Sequence, residues 1–237
     1  MTSGRLAISS RGTVPDADRR RSGRRGGTRP KTSVRTHPFA VGSGPGTARR
    51  AEPYSPSATI WVSNGVYAAG GAANYPAGTL LTNRVAVWKP LFVRSANNDP
   101  TNTIIRGAWA SDGNTNGPDA VRCAYLTNGA WLIGFTLADG ATMGSEGAAE
   151  ERRGAGVWCE PKGAVLTNCI LIGNAAYRDG GGTYRGTLYN CGLAQNIGSS
   201  GAGARLADLW RCMIVSNRAI SRDSGDASGG GASGGML

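Results

Sequence analysis

The chain has 237 residues and a net charge of +11; 38 residues are glycine and only 17% are charged. The glycines follow no Gly-X-Y period, which excludes collagen, and no apolar run is long enough for a membrane-spanning helix. Low charge with many glycines also argues against a coiled coil. The hydrophobic fraction of 40% is sufficient for one buried core.

Most of the net positive charge lies in residues 1–56. This segment has 12 Arg and Lys against three acidic residues, whereas residues 57–237 have 14 against 12. Its low hydrophobicity cannot offset the entropy of ordering the chain, so we predict a disordered basic arm. The run Arg19–Arg25 could bind nucleic acid, but a solvated arm without a specific nucleic-acid partner is the simpler expectation. The arm has no apolar stretch typical of a signal peptide.

Short extended segments follow the arm. ATIWVSNGVY (58–67) contains an Asn-Gly turn, NRVAVWKPLFVRS (83–95) has an alternation through Val85, Val87 and Val93, and TIIRG (103–107) is again extended. No helical period of useful length lies between them. We therefore expect β-strands in the first half of residues 57–237.

The second half contains a repeat. LTNCILIGN (166–174), LYNCGLAQN (188–196) and LWRCMIVSN (209–217) follow one another at steps of 22 and 21 residues, and a glycine cluster precedes each unit. LIGFTLADG (132–140) fits the same frame with phenylalanine in the cysteine position. A fixed period of this length is typical of a solenoid.

Alternation within a unit predicts the direction of each side chain. Leu166 and Cys169 lie an odd number of residues apart, so both can face the core only if the chain bends at Asn168. Asparagine tolerates the left-handed backbone that such a bend requires. Stacked coils would then form interior ladders of Leu166, Leu188 and Leu209, of Cys169, Cys191 and Cys212, and of Asn174, Asn196 and Asn217.

These segments resemble right-handed parallel β-helix proteins of the pectin-lyase-like superfamily. The extended segments at 58–107 resemble the opening of such proteins, and the repeats resemble those of large predicted bacterial surface or secreted proteins. The resemblance implies an all-β, right-handed parallel β-helix of about six or seven coils at residues 57–237. It also implies a secreted or cell-surface location.

The last glycine cluster is followed by only the beginning of a further repeat. Six residues separate Gly182 from Leu188 and Gly203 from Leu209, and the same distance separates Gly231 from Leu237. We therefore expect the solenoid to be truncated at its C-terminal end. An open last coil would expose strand edges and favour end-to-end self-association.

The enzymes of the superfamily that this sequence resembles are polysaccharide lyases and hydrolases, which use clustered carboxylates. No Asp-Asp pair is present, and Asp139, Asp179 and Asp223 are expected to be ordinary turn residues, although they could line one groove. The charged cluster Glu150–Arg153 is expected to be a solvated loop. We predict no catalytic residues, cofactor or metal, with calcium conceivable only for a lyase.

The five cysteines include no C-x-x-C pair, which argues against zinc. The stacked Cys169, Cys191 and Cys212 are expected to behave as small buried hydrophobes. One adjacent pair could form a disulfide, but reduced thiols are favoured because an odd stack cannot pair fully. Cys123 and Cys159 remain unassigned.

A candidate ligand-binding row comes from aromatic residues. Trp158, Tyr184 and Arg205 occupy equivalent positions after glycine clusters, and their side chains could stack on sugar rings. The alternative is packing of these rings against loops or against Trp131 and Trp210.

Three functions remain open from the sequence. The first is a non-catalytic, adhesin-like scaffold within a larger secreted or cell-surface protein. The second is a carbohydrate-active β-helix, either a polysaccharide lyase or hydrolase or a sugar-binding module with a polysaccharide or cell-surface glycan as partner. The third is nucleic-acid binding by the arm.

Overall fold

A computed structural model of the chain describes residues 58–112, 114–161, 163–222 and 227–237. The predicted arm at residues 1–56, with its Arg19–Arg25 run, lies outside the described residues, as does Asp223. Within the described ranges the secondary structure is β-strand with two short 3₁₀ helices at Pro100–Asn102 and Ala149–Arg152.

The strands are short and succeed one another around six coils. Coils 1 to 3 contain β1 (Thr59–Val62), β2 (Gly65–Tyr67), β3 (Thr82–Val87), β4 (Phe92–Ser95), β5 (Thr103–Arg106), β6 (Val121–Leu126), β7 (Trp131–Ile133), β8 (Thr136–Ala138) and β9 (Val157–Cys159). Coils 4 to 6 contain β10 (Val165–Thr167), β11 (Ile170–Ile172), β12 (Thr183–Tyr184), β13 (Thr187–Tyr189), β14 (Gly192–Ala194), β15 (Ile197–Gly198), β16 (Ala204–Arg205), β17 (Asp208–Trp210), β18 (Met213–Val215), β19 (Arg218–Ala219) and β20 (Ala232–Ser233).

The strands of successive coils pair in parallel to give three six-stranded sheets. Sheet A has the order β1-β4-β7-β10-β13-β17, sheet B β2-β5-β8-β11-β14-β18, and sheet C β3-β6-β9-β12-β16-β20. A small sheet of β15 and β19 lies between B and C in the last two coils. The predicted all-β, parallel β-helix is confirmed.

The predicted leucine ladder lies in register inside sheet A. Leu166 pairs with Leu188 and Leu188 with Leu209, and Leu132 precedes them in the same row. The side chains of Leu166 and Leu188 have no exposed surface. Because each coil can bury its inner face only against its neighbours, this row joins the coils into one core.

The asparagine ladder lies at the bend that follows sheet B. Asn174 Nδ2 donates to Asn196 Oδ1 at 3.0 Å, and Asn196 Nδ2 donates to Asn217 Oδ1 at 2.8 Å. Each amide also donates to a leucine carbonyl of the preceding coil, as Asn196 does to Leu171 at 2.9 Å. The buried amides thereby satisfy their own polar atoms and those of the neighbouring backbone.

Glycines next to this ladder allow the coils to approach closely. A Cβ atom added at Gly182 would clash with the carbonyl oxygen of Gly203 and lie 3.1 Å from Asn196 Nδ2. The equivalent glycines, Gly156 and Gly203, are crowded by the next coil in the same way. The glycine cluster before each repeat is therefore a requirement of stacking.

The bend between sheets A and B has the predicted left-handed backbone. Asn168 and Asn190 have φ of 51° and 52°. Arg211, which departs from the asparagine pattern, nevertheless has φ of 53°, and Gly134 occupies the equivalent position in coil 3 with φ of 78°. Stacking with the neighbouring coils thus imposes on Arg211 a conformation that its side chain does not favour.

One expectation from the sequence is wrong: the cluster Glu150–Arg153 is not a uniformly solvated loop. Glu150 is exposed, but only 6% of Glu151 is exposed. The Glu151 carboxylate accepts hydrogen bonds from the backbone N–H groups of Leu80, Leu81 and Ala148, the last at 2.8 Å. These hydrogen bonds, here called the Glu151 clamp, join the segment before β3 to the segment before β9.

The fully buried Arg122 completes this clamp on sheet C. Its guanidinium donates to Asn83 Oδ1 at 3.0 Å and to the carbonyl of Gly154 at 2.9 Å. It also donates to the carbonyls of Glu150 and Arg153, at 2.6 and 2.9 Å. A charged group without exposed surface requires such partners, and here they fix the 3₁₀ segment over sheet C.

Candidate functional site

The predicted row of Trp158, Tyr184 and Arg205 exists on the outer side of sheet C. Tyr184 pairs in register with Trp158 on one side and with Arg205 on the other. Tyr125 extends the row into coil 2, because it pairs with Trp158. Equivalent positions in the repeat thus become adjacent positions on one sheet face.

The rings of Trp158 and Tyr184 are buried, whereas stacking on a sugar requires an exposed ring face. Trp158 is 4% exposed and Tyr184 is 6% exposed. Trp158 lies between Tyr125, at a centroid distance of 5.7 Å, and Tyr184, at 6.3 Å, while Tyr75 covers Tyr125 at 5.5 Å. The rings pack against one another and against the segment before β3, so they have no free face for a sugar.

Arginines surround the end of this aromatic row. The guanidinium carbon of Arg153 lies 5.3 Å from the centre of the Tyr184 ring, and that of Arg185 lies 4.9 Å from it. Arg153 Nε also forms an ion pair with Asp179 Oδ2 at 2.9 Å. Arg205 donates to Ser233 Oγ at 3.0 Å. The aromatic row therefore ends in a group of three arginines. This group, Arg153, Arg185 and Arg205 around Tyr184, is here called the Tyr184 corner.

Exposed aromatic residues lie on a different surface, the outer face of sheet A. One outward row there consists, in register, of Trp61, Arg94, Ile133, Thr167, Tyr189 and Trp210. Trp61 is 62% exposed and Trp210 is 48% exposed, and Tyr189 stacks on Trp210 at a centroid distance of 6.4 Å. Arg94 lies over the Trp61 ring at 5.3 Å.

A second outward row of sheet A adds further ring surface. Phe92 and Trp131 pair in register, their ring centroids lie 5.5 Å apart, and both are partly exposed. The two rows together place apolar rings and the Arg94 cation on the outer face of sheet A. Such surfaces accommodate ligands that have both apolar and polar faces.

The alternation within the repeat also predicts this outer face. In each repeat the residue after the core leucine points outward, and these residues are Thr167, Tyr189 and Trp210. The alternation that places the leucines inside therefore also places Tyr189 and Trp210 outside. Trp131 and Trp210 belong to this face of sheet A, whereas the partners of Trp158 lie on sheet C.

The structure does not align the candidate carboxylates. Asp139 follows β8 and pairs with Arg106 at 3.2 Å, whereas Asp179 precedes β12 and pairs with Arg153. They occupy different positions of their coils, since Asp179 forms a bridge with Ser200 and not with the row of Asp139. Among the described residues no group of three His, Cys, Asp or Glu side chains is arranged to hold a metal ion.

The five cysteines are free thiols in the structure. Cys169, Cys191 and Cys212 occupy the same position in coils 4 to 6, and Cys212 alone is partly exposed. Cys123 and Cys159 lie in the core, where burial raises the pKa of each thiol to about 12. Buried thiols with such pKa values are poor nucleophiles at neutral pH.

Comparisons with known proteins found no match to a protein-family model, a curated protein or a solved structure. In the described part of the chain no helix is sufficiently long and apolar to cross a membrane.

Proposed function

We propose that the chain is a non-catalytic β-helix scaffold within a larger secreted or cell-surface protein, adhesin-like in role and related to the pectin-lyase-like superfamily. The supporting observation is the continuity of the leucine and asparagine ladders through coils 4 to 6. These interior side chains join coils, so the stack forms a stiff support for its outer faces.

The scaffold proposal is tested by incubating the full chain with a panel of polysaccharides, with and without calcium. It expects no release of reducing or unsaturated ends above that of a heat-denatured sample. Release that depends on the folded chain would favour the alternative, a polysaccharide lyase or hydrolase.

A second candidate function is sugar binding by the scaffold. The outer face of sheet A supports it, because Trp61, Tyr189 and Trp210 offer exposed rings in one outward row of this sheet. Sugar rings have apolar faces and polar edges that suit stacking on aromatic side chains. A polysaccharide or cell-surface glycan is the proposed ligand.

The test of sugar binding compares two tryptophans of similar exposure. Trp210→Ala removes a ring from sheet A, and Trp109→Ala removes one that is 54% exposed outside the sheets. For any glycan that the full chain binds, Trp210→Ala should weaken the affinity about tenfold, or 1.4 kcal/mol, and Trp109→Ala should leave it unchanged. Equal effects of both variants would argue against the sheet A face.

We also propose end-to-end self-association. Within the described residues β18 and β20 pair with a neighbouring strand on one side only, whereas the C-terminal segment covers β17 through a bond from the Leu209 N–H to the Met236 carbonyl at 2.8 Å. Such edges offer free N–H and C=O groups to another strand, and a second copy in the same orientation would continue the parallel pairing. Sedimentation of the full chain should show a mass that rises with concentration; a monomer at all concentrations would contradict the proposal.

A further inference from the structure

Three arginines from different parts of the sequence meet around Tyr184. Arg153 follows the 3₁₀ segment, and its guanidinium carbon lies 5.3 Å from the ring centre. Arg185 follows β12 directly, and its guanidinium carbon lies 4.9 Å from the same centre. Arg205 is the strand neighbour of Tyr184 in the next coil, and its guanidinium donates to Ser233 Oγ at 3.0 Å. The guanidinium groups of Arg153 and Arg185 thus lie within about 10 Å of each other, and Arg205 follows in the adjacent strand.

The positive charge of this corner is largely unbalanced. Asp179 is the one carboxylate that forms an ion pair with these three arginines in the described ranges, and it uses Arg153 Nε. The Arg185 guanidinium has the Tyr184 ring as its contact and no hydrogen-bond acceptor among the described side chains and carbonyls. Two or more cations held close together with one anion leave capacity for a further negative group.

Two buried N–H donors in the same row have no acceptor among the residues that the structure describes. Trp158 Nε1 is without a partner although the residue is 4% exposed, and the buried Nε of Arg205 is likewise unpartnered. Both groups can donate and neither can accept. Buried donors are nearly always satisfied, so a row with two orphan donors lacks an acceptor-rich group.

From these observations we infer that the Tyr184 corner of sheet C is a binding site for a tetrahedral oxyanion, a phosphate or sulfate group, held by Arg153, Arg185 and Arg205. Guanidinium forks bind such groups through paired, charge-assisted hydrogen bonds. A tetrahedral group presents oxygens in several directions, which suits cations that arrive from a loop and two successive coils. This site is separate from the aromatic face of sheet A.

The experiment titrates the full chain with inorganic phosphate, inorganic sulfate and phenyl phosphate by calorimetry. Arg185→Gln and Arg205→Gln remove one guanidinium each, and Arg211→Gln removes an exposed arginine at the bend between sheets A and B. Arg185→Lys keeps the charge and loses the fork. Circular dichroism of each variant reports whether the β-helix is intact.

We expect Arg185→Gln and Arg205→Gln each to weaken binding at least tenfold and Arg185→Lys to weaken it by a smaller factor. Arg211→Gln should change the affinity less than twofold. Binding of phenyl phosphate would indicate an ester on a larger molecule, and binding of the inorganic ions alone would indicate a free oxyanion. No binding to the intact chain, or an equal loss with Arg211→Gln, would overturn the inference.

Discussion

The side-chain amide of Asn196 donates to Asn217 Oδ1 across 2.8 Å, and its own Oδ1 accepts from Asn174 Nδ2 at 3.0 Å. Asn196 also accepts from the backbone N–H of Asn174 at 3.1 Å and donates to the carbonyl of Leu171 at 2.9 Å. A single buried residue therefore connects three successive coils. This relation explains why the same amide recurs in the three repeats that begin at Leu166, Leu188 and Leu209.

Replacing this residue should destabilise the fold strongly. Asn196→Ala would leave buried donors and acceptors on two neighbouring coils unpaired, and each such group costs about 1–3 kcal/mol. We expect a loss of about 3–5 kcal/mol in the free energy of unfolding, measured with urea. Asn97→Ala, at an exposed loop position, is the control and should change stability by less than about 0.5 kcal/mol.

The bend between sheets A and B offers a stabilising substitution. Arg211 has φ of 53°, the conformation that Asn168 and Asn190 adopt in the preceding coils. Asparagine tolerates the left-handed region better, so Arg211→Asn should raise the free energy of unfolding by about 0.5–1 kcal/mol. Arg218→Asn, on strand β19, should give no gain. A loss of stability with Arg211→Asn would show that the arginine side chain contributes contacts of its own.

The Glu151 clamp predicts a dependence of stability on pH. Burial opposes ionisation of Glu151, but hydrogen bonds from Ala148, Leu80 and Leu81, together with Arg122, outweigh it and lower the pKa of the carboxyl. A carboxyl with a lowered folded pKa stabilises the fold above its unfolded pKa of about 4.3, and this stabilisation is lost as pH falls through the folded value.

Glu151→Gln should therefore destabilise the fold at pH 7 and flatten the loss of stability between about pH 5 and pH 3. Glu150→Gln, at the exposed neighbouring position, should retain the pH profile of the unchanged chain. Free energies of unfolding measured across this pH range separate the two variants. Identical profiles for both would show that Glu151 is not the group responsible.

The burial of the five cysteines predicts an order of thiol reactivity. Cys212 is partly exposed, whereas the other four cysteines are buried. The hydrogen bond with Cys191 raises the pKa of Cys212, which slows its reaction, but access of the reagent sets the order because the other thiols are buried. A thiol reagent at pH 8 should modify Cys212 slowly in the folded chain and all five thiols only after unfolding. Cys212→Ser should abolish the slow phase. Mass spectrometry that located the first modification at Cys191 would contradict this order.

The sequence predicted the fold because the repeat is visible in it. Leucine, cysteine and asparagine at fixed offsets identify coil positions, and the odd spacing of Leu166 and Cys169 located the left-handed bend at Asn168. The Arg122 and Glu151 clamp could not be predicted in this way. Both residues lie outside the regular repeat, and their partners are backbone groups that only the folded chain brings near.

The candidate site was predicted in part. The sequence aligned Trp158, Tyr184 and Arg205 correctly as one row, because their positions relative to the glycines are equivalent. It did not show that Tyr75 and Tyr125 continue the stack, since these residues come from coils without a clear repeat. The exposure of an aromatic ring depends on such neighbours. Tyr75 and Tyr125 cover the rings of sheet C, whereas Tyr189 and Trp210 on sheet A remain exposed.

Interior ladders join the coils of this protein, and a double-mutant cycle on Asn196 and Asn217 tests their contribution most directly. The free energies of unfolding of Asn196→Ala, Asn217→Ala and the double variant give the coupling between the two side chains. A coupling of about 1–3 kcal/mol is predicted, because their amides are hydrogen-bonded to each other. Strict additivity of the two single effects would contradict the ladder and, with it, the scaffold.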